Sequence, residues 1–176
     1  MKPSSDWKVT LEKRLPLFGH RNWLVIADAA YPAQSRPGIE TLLSGESQQA
    51  TIERVLASLG VCRHLRPIIH VDQELELVNE KDAPGVENYR AWLQTALDEF
   101  TVRSDSHDEI IAKLDRAAQM FSVLIIKSTM TIPYTSVFIE LDCGYWNAES
   151  EARLRSAISS VNKREFELKQ VTQDFG

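Results

Sequence analysis

The sequence predicts a three-layer α/β sandwich, with helices on both faces of a largely parallel central sheet. Three observations lead there. Short, continuously apolar, β-branched runs such as "NWLVIAD" (22–28) and "FSVLIIKS" (121–128) have the make-up of strands buried on both faces. They alternate with segments of helical period. Gly, Pro, Ser and Asp stand at the boundaries between the two.

Taken in order, residues 6–18 read as a helix, because Trp7, Leu11, Leu15 and Phe18 recur every three to four residues. Gly19 ends it, and "NWLVIAD" is the first strand. "YPAQSRPG" (31–38) is a loop, and "ESQQATIERVLASLG" (46–60) is a helix closing on Gly60. "LRPIIHV" (65–71) and "LELV" (75–78) read as strands. The segment 83–100 is a helix with Pro84 near its start. "FTVR" (100–103) is a brief strand, and 106–120 is a helix opening on Ser106 with Asp108 and Glu109 in its first turn, where the helix dipole favours them. "FSVLIIKS" and "YTSVFIELD" (134–142) are the last strands. From about Asn147 the chain changes: acidic and basic residues balance, and Leu154, Ile158, Val161 and Leu168 share one helical face. Two parts are expected, a globular domain over 1–146 and an amphipathic helical extension over 147–176. The extension reads as a surface helix that closes an edge of the domain or meets a second subunit.

Composition narrows function. With 176 residues, 43% of them hydrophobic, the chain suits one sizeable core. A net charge of -5 argues against a nucleic-acid partner, which needs clustered Lys and Arg to displace counterions. No apolar run spans a bilayer and the N-terminus lacks a signal-peptide pattern, so a soluble, cytoplasmic protein without a membrane partner is expected. Cys62 and Cys143 belong to no CxxC pair, which fits free thiols in a reducing compartment.

In α/β sheets ligands sit beyond the carboxyl ends of the strands, and Asp28 occupies such an end. The glycine-rich dinucleotide and phosphate loops are absent, as is the GxSxG nucleophile elbow. Cys62 with His64 and His70 with Asp72 are isolated pairs lacking a third ligand at motif spacing, so no metal is expected. His20, Asp28, His107 and Tyr134 remain, an acid-base inventory without nucleophile or cofactor.

"GHRNWLVIADAAYP" (19–32) resembles the opening motif of the D-ribose pyranase and L-fucose mutarotase family, in which a Gly-His pair leads into an apolar strand ending Asp-Ala-x-x-Pro. "VRSDSH" (102–107) is similar to the pyranase branch's short strand and following histidine. "IKSTMTIPYTSVFIE" (126–140) is similar to the family's closing strands. The likeness covers roughly residues 8–145. It implies a sugar mutarotase, which interconverts ring forms of a free monosaccharide by acid-base chemistry with no cofactor. By the same resemblance His20 is the leading proton-transfer residue, Asp28 holds a sugar hydroxyl or orients His20, and His107 and Tyr134 bind the sugar. Ring-like homo-oligomers, whose neighbouring subunits complete each site, are also implied.

The residues read by themselves leave plainer roles open: His20 as a helix-end residue, Asp28 as a turn former, His107 as an exposed first-turn residue and Tyr134 as a strand aromatic. The chain also departs from the family. Ser136 stands where the family has a substrate-binding asparagine, "STM" replaces a Gly-Glu pair, and Ile111 takes the place of a lysine. A non-catalytic sugar-binding or regulatory relative, and an enzyme using Asp28 as nucleophile or phosphoacceptor, are the alternatives.

Overall fold

The computed structural model describes the chain from residue 6 to residue 173, with side chains from 7 to 165. A six-stranded sheet has the order β2-β5-β1-β6-β3-β4, where β1 is Trp23–Ala27, β2 Ile39–Leu43, β3 Leu65–Asp72, β4 Thr101–Asp105, β5 Val123–Lys127 and β6 Val137–Cys143. Neighbours β1 and β5, β2 and β5, and β3 and β4 pair in parallel, whereas β6 runs antiparallel to both β1 and β3. β1 is buried at all five positions, as its unbroken apolar run requires.

Alternate strand residues feed two cores. On one face Leu24, Ile26, Leu124, Ile126 and Ile139 pack with Trp7 and Leu11 of α1 (Asp6–Arg14), Ile52 and Val55 of α2 (Gln48–Gly60), and Tyr89 and Leu93 of α3 (Val86–Ala96). On the other, Val25, Ile125 and Phe138 pack with Ile110 and Leu114 of α4 (His107–Ala117). This is the expected three-layer arrangement. The helix α5 (Ala148–Gln173) follows β6.

Four local expectations are corrected. The first helix stops at Arg14 and tightens into a 3-10 turn over Leu15–Leu17, because Pro16 brings no backbone N–H to extend the ladder. "IETLL" is an edge strand, β2, within a segment with no strand expectation; its mixed, half-exposed residues hide the strand period. "LELV" is instead a 3-10 turn over Gln73–Leu77, in which Leu75 is buried, Leu77 is exposed, and Arg90 donates to the carbonyls of Leu75 and Val78. Finally, α5 does not close an edge of the domain. Leu154, Ile158 and Val161 remain 43%, 43% and 54% exposed; the side chain of Leu168 lies outside the described residues.

The carboxyl edge of the sheet is held by two buried polar side chains. Gln48 Nε2 donates to the carbonyls of Ile26 (3.1 Å) and Thr135 (2.7 Å), while its Oε1 accepts from Ser128 Oγ (2.6 Å). The Tyr89 hydroxyl also donates to the Thr135 carbonyl, at 2.7 Å. Together they fix the turn before β6 against the end of β1. At the opposite edge Gly144 closes β6 with its backbone against the Arg63–Leu65 turn, where an added Cβ would collide with the Arg63 carbonyl. Gly144→Ala is therefore expected to lower unfolding free energy by about 1–3 kcal/mol, measured by denaturant melts; an unchanged midpoint would show that the turn yields freely.

Candidate functional site

Five strands point their carboxyl ends to one edge of the sheet, and antiparallel β6 contributes its amino end there. Asp28 after β1, Asp72 at the end of β3, His107 after β4 and Tyr134 before β6 consequently line one open cleft of about 680 Å³. The rest of its wall includes Tyr31, Gln34 and the apolar side chains of Ile111 and Ile132. That size and lining suit a small polar ligand.

Asp28 is fixed on both sides. Its Oδ1 accepts from the backbone N–H of Ala30 at 2.8 Å, an Asx turn that the small residues of "ADAA" permit. Its Oδ2 accepts from Ser136 Oγ at 3.0 Å, and Ser136 Oγ in turn accepts from the Asp28 backbone N–H at 3.3 Å. Ser136 is buried, with both its donor and an acceptor lone pair directed at Asp28. The carboxylate keeps further lone pairs for a ligand.

His107 opens α4, whose amino end is closed by Ser106 and Glu109 in a capping box. Both carboxylate oxygens of Glu74 accept from the His107 backbone N–H, each at 3.1 Å. The imidazole Nδ1 lies 3.0 Å from Asp72 Oδ1, and its ring edges approach Tyr134 (centroids 5.8 Å) and Phe138 (6.3 Å). With Nδ1–H directed at the carboxylate, Nε2 is left to exchange a proton with a ligand.

Asp72 is buried, and burial pushes its carboxyl up from 3.8 to about 6; the hydrogen bond and charge of His107 oppose the rise, while Glu74 and Asp28 add to it. Its Oδ2 has no hydrogen-bond partner among the described residues. The Tyr31 hydroxyl is likewise buried with no well-aligned partner among the described residues, and burial pushes that phenol up to about 12 against the opposing pull of the nearby Gln34 side chain. Tyr134 is not a strand residue. It sits in the turn before β6 with φ +59°, a left-handed conformation unusual for an aromatic, which holds its ring edge-on to His107.

Of the five residues singled out from the sequence, the fold brings four together: Asp28, His107, Tyr134 and Ser136. His20 lies elsewhere. It precedes β1, and the extended chain from Asn22 to Asp28 spans roughly 20 Å at about 3.3 Å per residue. At that opposite edge His20 Nδ1 is 2.9 Å from Asp142 Oδ1, and Arg66 donates to Asp142 Oδ2. Within one chain His20 therefore neither meets nor is oriented by Asp28.

The partners Asp72 and Asp142 escaped the sequence reading. Asp72 ends β3 at the same edge as Asp28, so the strand-end rule applied there would have found it. Asp142 had no such signal, because it reaches His20 only through the antiparallel pairing of β6 beside β1. His70, considered with Asp72 as a metal pair, instead sits buried between Asp105 (2.9 Å) and Glu140 (3.3 Å) and stacks on Trp23. Among the described residues no three His, Cys, Asp or Glu side chains group as metal ligands, and no helix is long and apolar enough to cross a membrane.

No protein-family model matches the sequence, and no curated protein matches it at a significant level. Solved structures do match. Bacillus subtilis RbsD, complexed with D-ribose, aligns with a TM-score of 0.57 at 19% identity, covering 81% of this chain and 98% of that one. The fucose mutarotase of Streptococcus pneumoniae, in complex with L-fucose, gives a TM-score of 0.48 at 19% identity, covering 74% and 89%. FucU from Bifidobacterium longum gives 0.46 at 18%, covering 76% and 92%. At such identities the likeness is one of architecture, and by its sheet, its helical layers and its alignment to RbsD this chain has the RbsD-type α/β fold.

Proposed function

We propose that the chain is a cofactor-independent mutarotase of a free monosaccharide, ribose- or fucose-like in size. The observation that carries this reading is the Asp72–His107 pair beside the fixed Asp28 carboxylate in one cleft. His107 Nε2 takes the proton of the anomeric hydroxyl as the bond from C1 to the ring oxygen breaks and the C1 carbonyl forms. A second acid delivers a proton to the ring oxygen. Reclosure on the other face, or through another hydroxyl, reverses both transfers. Asp28 accepts sugar hydroxyls and the Tyr134 phenol donates to a sugar oxygen. Ser136 acts on the sugar through Asp28 rather than in the asparagine's manner, since its hydroxyl is already engaged.

His20 has a part in this scheme as the second acid, presented by a neighbouring copy in a homo-oligomer. Its ring is oriented as that of His107 is, by a carboxylate on Nδ1. Residues 1–146 form the mutarotase domain and 147–176 an extension to it.

Ring-form exchange followed by saturation-transfer NMR over a panel of reducing sugars tests the reading, with faster exchange for at least one sugar expected. A folded protein that binds a sugar saturably yet accelerates nothing would instead select the non-catalytic reading, which the engagement of Ser136 favours.

Charge sets the substrate class. Asp28 and Asp72 line the cleft and no Lys or Arg is among its lining residues. A phosphate roughly 6–10 Å from such a carboxylate costs on the order of 2–3 kcal/mol at an effective dielectric near 20. Sugar phosphates are expected to bind at least about tenfold more weakly than the free sugar. Equal affinities by calorimetry would overturn this assignment.

A further inference from the structure

Two residues before Asp72 on β3 stands a second histidine, His70, and two residues before His107, at the end of β4, stands a second acid, Asp105. His70-x-Asp72 therefore faces Asp105-x-His107 with the roles exchanged. Alternate strand residues share a face, so His70 and Asp72 both point to the α4 side of the sheet, and β3 pairs with β4 so that Asp72 stands opposite Asp105. Two parallel contacts result: His70 Nδ1 lies 2.9 Å from Asp105 Oδ2, and His107 Nδ1 lies 3.0 Å from Asp72 Oδ1.

His70 does not line the cleft, and no step described above uses it. It is wholly buried, stacks on Trp23 of β1, and meets a carboxylate at each ring nitrogen, Asp105 at Nδ1 and Glu140 of β6 at Nε2 (3.3 Å). Both nitrogens donate, so the ring carries a positive charge. Both acids are held below the usual carboxylate range, Asp105 by the hydrogen bond of Lys113 and then that of His70, Glu140 by that of His70 first, with the charge of Arg103 assisting. Lys113, in the second turn of α4, reaches the same Asp105 oxygen at 2.7 Å. Asp105 Oδ2 is thus a node that ties β3, β4 and α4 together.

Desolvation offsets most of the Coulomb gain of a buried ion pair, so the node adds little net stability. It adds direction. From Asp105 the chain passes to the cap residue Ser106 and then to His107, so a turn of the β4 end would carry the imidazole away from Asp72. Proton transfer tolerates little of this, since a displacement of about 1 Å can cost on the order of 10²-fold in rate.

We propose that His70 is a positioning residue of the cleft, which acts through Asp105 to hold His107 against Asp72. The proposal rests on the mutarotase reading only for the kinetic arm of its test.

Imidazole proton–nitrogen correlation spectra read the pair without need of catalysis. At about pH 8, where an ordinary imidazole is neutral, the full chain is expected to show His107 in a single tautomer protonated at Nδ1, its signals assigned among the four histidines by substitution. His70→Gln keeps a donor for one carboxylate and removes the charge; in it His107 should become a mixture of tautomers, and Asp105→Asn should have the same effect. Glu140→Gln removes the other arm of His70 but leaves the node, so His107 should keep its single tautomer there. Where a sugar is exchanged, His70→Gln should lower kcat about tenfold or more with KM within about threefold. The double variant His70→Gln/Asp105→Asn should lose no more than the worse single variant, because both substitutions break one contact.

A folded His70→Gln that retains the wild-type His107 tautomer overturns the proposal. So does a Glu140→Gln that disturbs His107 as much as Asp105→Asn does, or full additivity of the two kinetic losses. Should His70→Gln not fold, Asp105→Asn, at a half-buried position, carries the test: a mixed His107 tautomer supports the node and an undisturbed one overturns it. Disturbed tautomers in the variants, with no sugar exchanged by the wild type, support the positioning role and remove the mutarotase reading; undisturbed tautomers with catalysed exchange do the reverse.

Discussion

Asp72→Asn is expected to make the protein more stable above pH 6 and much less active. The Asp72 carboxyl has its midpoint pushed from 3.8 to about 6 in the folded chain, by burial first. The folded state therefore holds this proton more tightly than the unfolded state does. Between about pH 4 and pH 6 the unfolded chain ionises first, so stability falls as pH rises through that window. The penalty is absent below about pH 4 and complete above about pH 6, where it is at most about 3 kcal/mol at 1.36 kcal/mol per unit. Asparagine carries no charge and escapes it. Thermal melts should show the wild type losing stability from pH 4 to 7 by more than the variant does.

Activity should move the other way. An amide still reaches His107 Nδ1, but it neither fixes one tautomer nor stabilises the imidazolium formed when Nε2 takes a proton. A loss of ring exchange of roughly 10²-fold or more follows, and His107→Ala should lose at least as much. A variant with wild-type exchange rates would remove Asp72 from the mechanism. Because Asp105, Glu140 and Asp142 are shifted the other way, the difference between the two profiles is the test, and a wild type that loses no more stability than the variant across this window would contradict the burial argument.

The second large effect concerns His20. If each site takes His107 from one copy and His20 from its neighbour, His20→Ala and His107→Ala are each inactive alone. Co-expressed at equal levels, they should recover activity to about one quarter of wild type, because one site in four then combines both intact histidines. No recovery in a mixed assembly of wild-type mass would mean that His20 does not serve a neighbour's site. A monomeric protein that is fully active, and stays so in His20→Ala, would confine the chemistry to the carboxyl-edge cleft.

How far the sequence could be read differs from element to element. β1 and β5 were legible because a strand buried on both faces carries an unbroken apolar run, and α4 because its capping residues stand directly before its apolar period. β2 was not: an edge strand with exposed positions has no period that separates it from loop. The 3-10 turn at Gln73–Leu77 was misread because alternation over four residues does not reveal whether a partner strand exists.

In the candidate site, Asp28, His107 and Tyr134 stood out as polar residues beside strands and helix starts. Their convergence is a consequence of topology. Parallel strands deliver their carboxyl ends to one edge, and the reversed β6 places Tyr134 there and Asp142, with His20, at the other. The orienting contacts of Asp72 on His107 and of Asp142 on His20 join residues 35 and 122 positions apart.

The sequence by itself determined the layered α/β class, because burial writes its period into the chain locally. Only the tertiary structure decided which acids hold which histidines and on which edge each pair lies. Those contacts depend on strand order and direction, which local periodicity does not encode.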